Sequence, residues 1–161
     1  MDYKSIISDK ANELTQHLTI SDTPIDPMKL IENYFNVTLL VEDLSGEEGY
    51  TLYDKKRDRY KICIDTNLYN KGRINFTIAH EVGHIYLGHF GNKYVTSEYF
   101  PPYLDVYANT FAAEVLAPNH ILCDEILSLH SDKRLAMQFG LSLEAFKIRY
   151  EPYRPVKIKT Y

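Results

Sequence analysis

The chain has 161 residues, 45% hydrophobic and 25% charged, the balance of one soluble globular domain long enough to bury a core without staples. Its formal charge of −4 and pI near 5.8 argue against a protein built chiefly to grip phosphate backbones, which needs a basic face. The two cysteines, Cys63 and Cys123, form neither a disulfide framework nor a Cys-x-x-Cys metal knuckle, and read as buried free thiols.

In chain order, residues 2–18 set Ile6, Ile7, Leu14 and Leu18 among polar residues, the pattern of a modest amphipathic helix. The charge in this segment argues against a secretory signal. No apolar run approaches the ~20 residues that span a bilayer, so a cytoplasmic protein with no membrane partner is expected. SDTPIDP breaks the first helix. Asp26 caps a second one, with Pro27 in its first turn, running through MKLIENYF, and VTLLVEDL follows as a strand. Between Gly46 and Thr66 two β-prone arms flank the charged turn DKKRD, with Tyr60, Ile62 and Ile64 alternating, which predicts a hairpin.

A helix opening at Asn70 or Lys71 carries INFTIAHEVGHIYLGHF and ends near Gly88 or Gly91. A tyrosine-rich irregular stretch leads to Pro101-Pro102. Another helix spans about Tyr103 to Ala117 and is stopped by Pro118. Three short helical pieces near 119–129, 131–139 and 142–150 precede a charged tail, YRPVKIKTY. No repeat is present, and the sum is a small α+β domain with a helical C-terminal part.

His80-Glu81-Val82-Gly83-His84 supplies the chemistry. Four residues along a helix leave two imidazoles about 40° apart and one turn along the axis, so both reach one ion. Three protein groups on a zinc ion leave one position for water and lower its pKa to about 7. Glu81, about 100° from His80, is placed as general base rather than ligand. The apolar residues around it, among them Phe76, Ile78, Ala79, Val82 and Ile85, predict a buried helix in which unpaired ionisable groups would be costly. A metal compensates them. His89 lies nine positions past His80, about 180° around an ideal helix, which predicts that it points away, in a supporting or surface role. Leu87 and Phe90 stand where an extended third-histidine pattern would need glycine and histidine.

A carboxylate from another helix is therefore expected as third ligand, and YLDVYANTFAAEVLAP offers Asp105 and Glu114. Nine residues apart, they occupy opposite sides. Asp105 is favoured, because Asn109 one turn on shares its face and would orient a histidine from behind, and small Ala108 and Ala112 permit close helix approach; Glu114 is the alternative. Tyr86, Tyr94, Tyr99, Tyr103 and His120 are candidates for stabilising an oxyanion.

AHEVGHIYLGH at 79–89 and DVYANTFAAEVLAP at 105–118 are similar to the paired motifs of the ImmA/IrrE family of metallopeptidases. After the zinc helix that family has Glu-x-x-Ala-Asn-x-Phe-Ala-x-x-Leu-Leu-x-Pro, and Asp105 stands here in place of the usual glutamate. The resemblance implies a zincin-like domain and a Zn2+-dependent endopeptidase of bacteria, phages or integrative elements. Its implied substrate is a helix-turn-helix repressor, whose cleavage releases phage, mobile-element or stress genes. A metal-stabilised regulator that binds a partner or DNA without proteolysis is the rival expectation.

The expected organisation is a metallopeptidase domain over 1–130 with a helical extension, 131–161, packed on it. In the extension, SDKRLAMQFGLSLEAFKIRY reads as two helices joined at Gly140-Leu141-Ser142, resembling a helix-turn-helix. A DNA-binding reading puts Lys147, Arg149, Arg154, Lys157 and Lys159 toward phosphates. The favoured reading makes Leu135, Ala136, Phe139, Leu141, Leu143, Ala145, Phe146 and Ile148 a packing unit that serves recognition of a protein.

Overall fold

A computed structural model describes residues 2–153; the basic tail residues Arg154, Lys157 and Lys159 lie outside them. Three strands, β1 (Asn36–Glu42), β2 (Gly49–Asp54) and β3 (Arg59–Asp65), form one sheet in the order β1-β3-β2. β2 and β3 are the hairpin expected from the sequence, paired antiparallel from Gly49↔Ile64 to Asp54↔Arg59. β1 runs parallel to β3, from Asn36↔Arg59 to Glu42↔Asp65. The central strand is accordingly the buried one: Ile62, Cys63 and Ile64 are all nearly inaccessible.

The described residues also form seven α-helices: α1 (Tyr3–Thr15), α2 (Pro27–Ile31), α3 (Lys71–Tyr86), α4 (Pro102–Leu116), α5 (Asp124–Leu129), α6 (Asp132–Phe139) and α7 (Leu143–Tyr150). Their starts follow local chemistry. Asp26, Asn70, Ser131 and Ser142 each cap a helix by accepting from a backbone N–H with the side chain. α2 is shorter than the apolar run suggests. It stops at Ile31, where Tyr34 and Phe35 turn back onto the Ile31 carbonyl, because Phe35 packs edge-on against Tyr60 and the chain must extend along β3.

α3 lies between the sheet and α4, with Ile78, Ala79, Val82 and Ile85 buried. α4 packs on it with Ala108, Phe111, Ala112 and Val115 buried. A side chain at Gly83 would put its Cβ 3.0 Å from Phe111 and 3.3 Å from the Ala108 backbone, so glycine sets how closely α3 and α4 approach. Leu135, Phe139 and Phe146 from α6 and α7 join the same core cluster, and Phe139 and Phe146 stack at 5.8 Å.

The burial expected of Cys123, Leu143 and Ile148 needs correction. Cys123 is exposed, because it stands at the N-cap of the short helix α5. Ile148 is exposed rather than packed, since it lies on the side of α7 opposite the buried Phe146 and Tyr150; Leu143, the first residue of α7, is exposed as well. Among the described residues, no helix is long and apolar enough to cross a membrane.

Candidate metal centre

α3 carries His80 and His84 on one face, one turn apart, and α4 brings Asp105 to them. The His80 and His84 Nε2 atoms are 3.0 Å apart. Asp105 Oδ1 lies 3.2 Å from His84 Nε2 and 3.7 Å from His80 Nε2. Ligand bonds of about 2.0–2.1 Å at tetrahedral angles place donor atoms roughly 3.4 Å apart, and the three distances bracket that value. His84 is fully buried, whereas the Asp105 side chain is half exposed. The triangle is thus closed toward the core and open on one side.

Protons decide what this triangle wants. His80 Nδ1 is 2.7 Å from Asn109 Oδ1; an amide oxygen only accepts, so His80 donates there and its Nε2 presents a lone pair. His84 Nδ1 lies 2.8 Å from His89 Nδ1, and with His84 donating, its Nε2 presents a lone pair as well. Burial first, then the neighbouring His80 and His89, pushes the His84 pKa down to about 2. Burial, then His80, pushes His89 down to about 4. These two rings are neutral at neutral pH. Two ring nitrogens and a carboxylate oxygen thus converge on one point, an arrangement that suits a cation.

His89 does not point away. α3 ends at Tyr86, and Gly88 at φ +74° turns the chain so that Gly88 N–H donates to the Ile85 carbonyl and His89 N–H to that of His84. This is a Schellman turn, which glycine accommodates without a Cβ penalty. The turn folds His89 back beside His84, where Phe100 packs on both rings. Helical angles hold only as far as Tyr86, where α3 ends, three residues short of His89.

Glu81 is 3% exposed. Its Oε2 accepts from Thr51 Oγ1 on β2 at 2.6 Å and from Ser97 Oγ at 3.1 Å. Ser97 Oγ in turn accepts from the Thr51 N–H at 2.8 Å, and Tyr53 N–H donates to the Val95 carbonyl. The segment before α4 therefore covers the outer edge of β2 and ties it to Glu81. Burial is the largest influence on Glu81 and raises its pKa, against the Thr51 hydrogen bond, which lowers it. Sequence reasoning missed Thr51 and Ser97, because isolated hydroxyls on a strand and a loop carry no periodic signal.

Glu114 stands apart from this group. Its two oxygens accept from Ser8 Oγ and Arg149 Nη2, each at 3.2 Å, and Arg149 also donates to the Ala113 carbonyl and to Asn119. Arg149 is buried and serves α4, not a phosphate. Among the oxyanion candidates, the Tyr86 hydroxyl donates to Glu13 and His120 contacts the Leu18 carbonyl; Tyr99 and Tyr103 are exposed.

Two imidazoles one turn apart, a carboxylate from the next helix and a small mixed sheet alongside define an α+β, zincin-like domain. A family model, the peptidase M78 or IrrE N-terminal-like domain, matches residues 32–151, and the chain belongs to that family. A Mycobacterium tuberculosis transcriptional regulator of known structure is similar in fold, with a TM-score of 0.63 at 15% identity over 97% of this chain and 48% of that one. The chain spans about half the length of that protein. No curated protein matches the sequence.

Proposed function

We propose that the chain is a zinc-dependent endopeptidase that hydrolyses a peptide bond in a helix-turn-helix repressor and so relieves repression of phage, mobile-element or stress genes. The observation that carries the reading is Glu81. A carboxylate sequestered beside the His80, His84 and Asp105 donor set, fixed through one oxygen and leaving Oε1 for another partner, is arranged for proton transfer.

His80, His84 and Asp105 would hold the ion, and Asn109 and His89 orient the two imidazoles from behind. Bound zinc supplies a Lewis acid for the substrate carbonyl and acidifies water. Glu81 takes a proton from the attacking water and returns it to the leaving amine, while Thr51 and Ser97 hold its far oxygen through both steps. The half-exposed Asp105 side leaves room for the peptide. Membership of the peptidase M78 family supports hydrolysis, and a repressor as substrate is what the resemblance of the paired motifs implies.

Co-expression with the helix-turn-helix repressor encoded nearest to it tests the reading. The wild type is expected to cut that repressor, and Glu81→Gln to keep its zinc and leave the repressor whole. A wild type that binds the repressor but never cuts it would instead establish the metal-stabilised regulator.

A further inference from the structure

We infer that the cleft beside His80 and Glu81 is a subsite for a large apolar side chain of the protein substrate, and that Ile148 on α7 sets this preference. The inference rests on the peptidase reading and names a feature of its substrate. The cleft has a volume of about 800 Å³, with His80, Glu81 and Asn109 in one wall and α7 contributing to another. That size is typical of ligand sites, about 300–1,000 Å³.

Its apolar lining comes from Phe76 on α3, Ala113 on α4, Ala145 and Ile148 on α7, and Pro152 just after α7. Ile148 is 71% exposed, although Phe146 and Tyr150 beside it are buried. Ala145 and Ile148 lie three residues apart, on one helix face. An isoleucine held out of the core and against a cavity gains free energy when an apolar group displaces the water on it.

The charges around the cleft argue the same way. Arg73 is paired with both carboxylate oxygens of Glu48, and Arg149 with Glu114. Lys4 and Glu47, both exposed and opposite in sign, add no net charge to the lining. A charged substrate side chain entering here would lose water and meet arginines and glutamates already committed to each other. A leucine or phenylalanine loses nothing comparable. Continuity with His80 and Glu81 makes a residue near the hydrolysed bond the occupant.

Decapeptides of glycine and serine with one central Leu, Phe, Asp or Lys test this. Titrated into zinc-loaded Glu81→Gln protein, the Leu and Phe peptides are expected to move the Ile148 δ1-methyl NMR signal at concentrations at least tenfold below those needed for Asp and Lys. Quenched versions report cleavage by the active chain. There Ile148→Lys should reverse the preference in kcat/KM from Leu toward Asp, whereas Ile148→Leu should keep it. An Ile148 methyl indifferent to peptide identity overturns the subsite whether or not the chain cleaves. A methyl that responds as expected, with none of the four peptides cut, supports the subsite and counts against the peptidase reading alone.

Discussion

Glu81 is held by groups that carry no motif. Thr51 is fully buried, and its 2.6 Å hydrogen bond to Glu81 fixes the carboxylate through Oε2. Replacing it by an isostere without the hydroxyl, Thr51→Val, leaves Glu81 with Ser97 as its remaining side-chain donor. The expected result is a fall in kcat of at least about tenfold, the size of about 1.4 kcal/mol, with KM and zinc content unchanged and most of the rate restored in Thr51→Ser. Equal losses in the serine and valine variants would mean that the hydroxyl is not what matters. His89 acts on the other side of the donor set. Outer partners of ligating histidines are worth about 10–100-fold in metal affinity, so His89→Ala should weaken zinc by that factor in competition with a chromophoric chelator; unaltered affinity would reduce His89 to packing.

Between elements, the α3–α4 spacing decides whether Asp105 reaches the histidines. An aspartate is one methylene shorter than a glutamate, and the close approach at Gly83 and Ala108 makes up that length. Gly83→Val would force atoms into Phe111 and the α4 backbone, and overpacking of this kind costs about 1–3 kcal/mol. A lower urea midpoint is expected, accompanied by weaker zinc binding because Asp105 moves back with α4. Loss of stability with zinc affinity intact would show that Asp105 does not depend on this contact. Glu114 illustrates the same logic in reverse. It belongs to α4 too, but α7 presents Arg149 to it, and the pair locks α7 onto α4.

Over the whole molecule, one apolar cluster runs from α1 through α3 and α4 to α6 and α7, so the fold does not hang on a metal as a small zinc finger does. Removal of the ion should therefore lower Tm without unfolding the chain at room temperature. Ligand linkage gives about 4.1 kcal/mol at a free ion concentration 1,000 times Kd. At roughly 2–4 °C per kcal/mol for a domain of this size, a chelator should lower Tm by about 10 °C in calorimetry. Coincident transitions with and without chelator would exclude a tight site.

The sequence by itself determined what is local and periodic. The spacing of His80 and His84, the hairpin arms, the capping residues and the place of Asp105 relative to Asn109 all follow from 3.6 and 2 residues per repeat and from side chains that bond their own backbone. What lies beyond one element's geometry had to wait for packing. Nothing along the chain says that the parallel strand β1 joins β3, or that Thr51 and Ser97 meet at Glu81. His89 returns to His84 because a glycine turn ends the helix, and Ile148 is left facing a cleft because α7 buries its other side. Tertiary structure decided these, since each depends on which surfaces bury most apolar area against one another, and that is a property of the assembled chain.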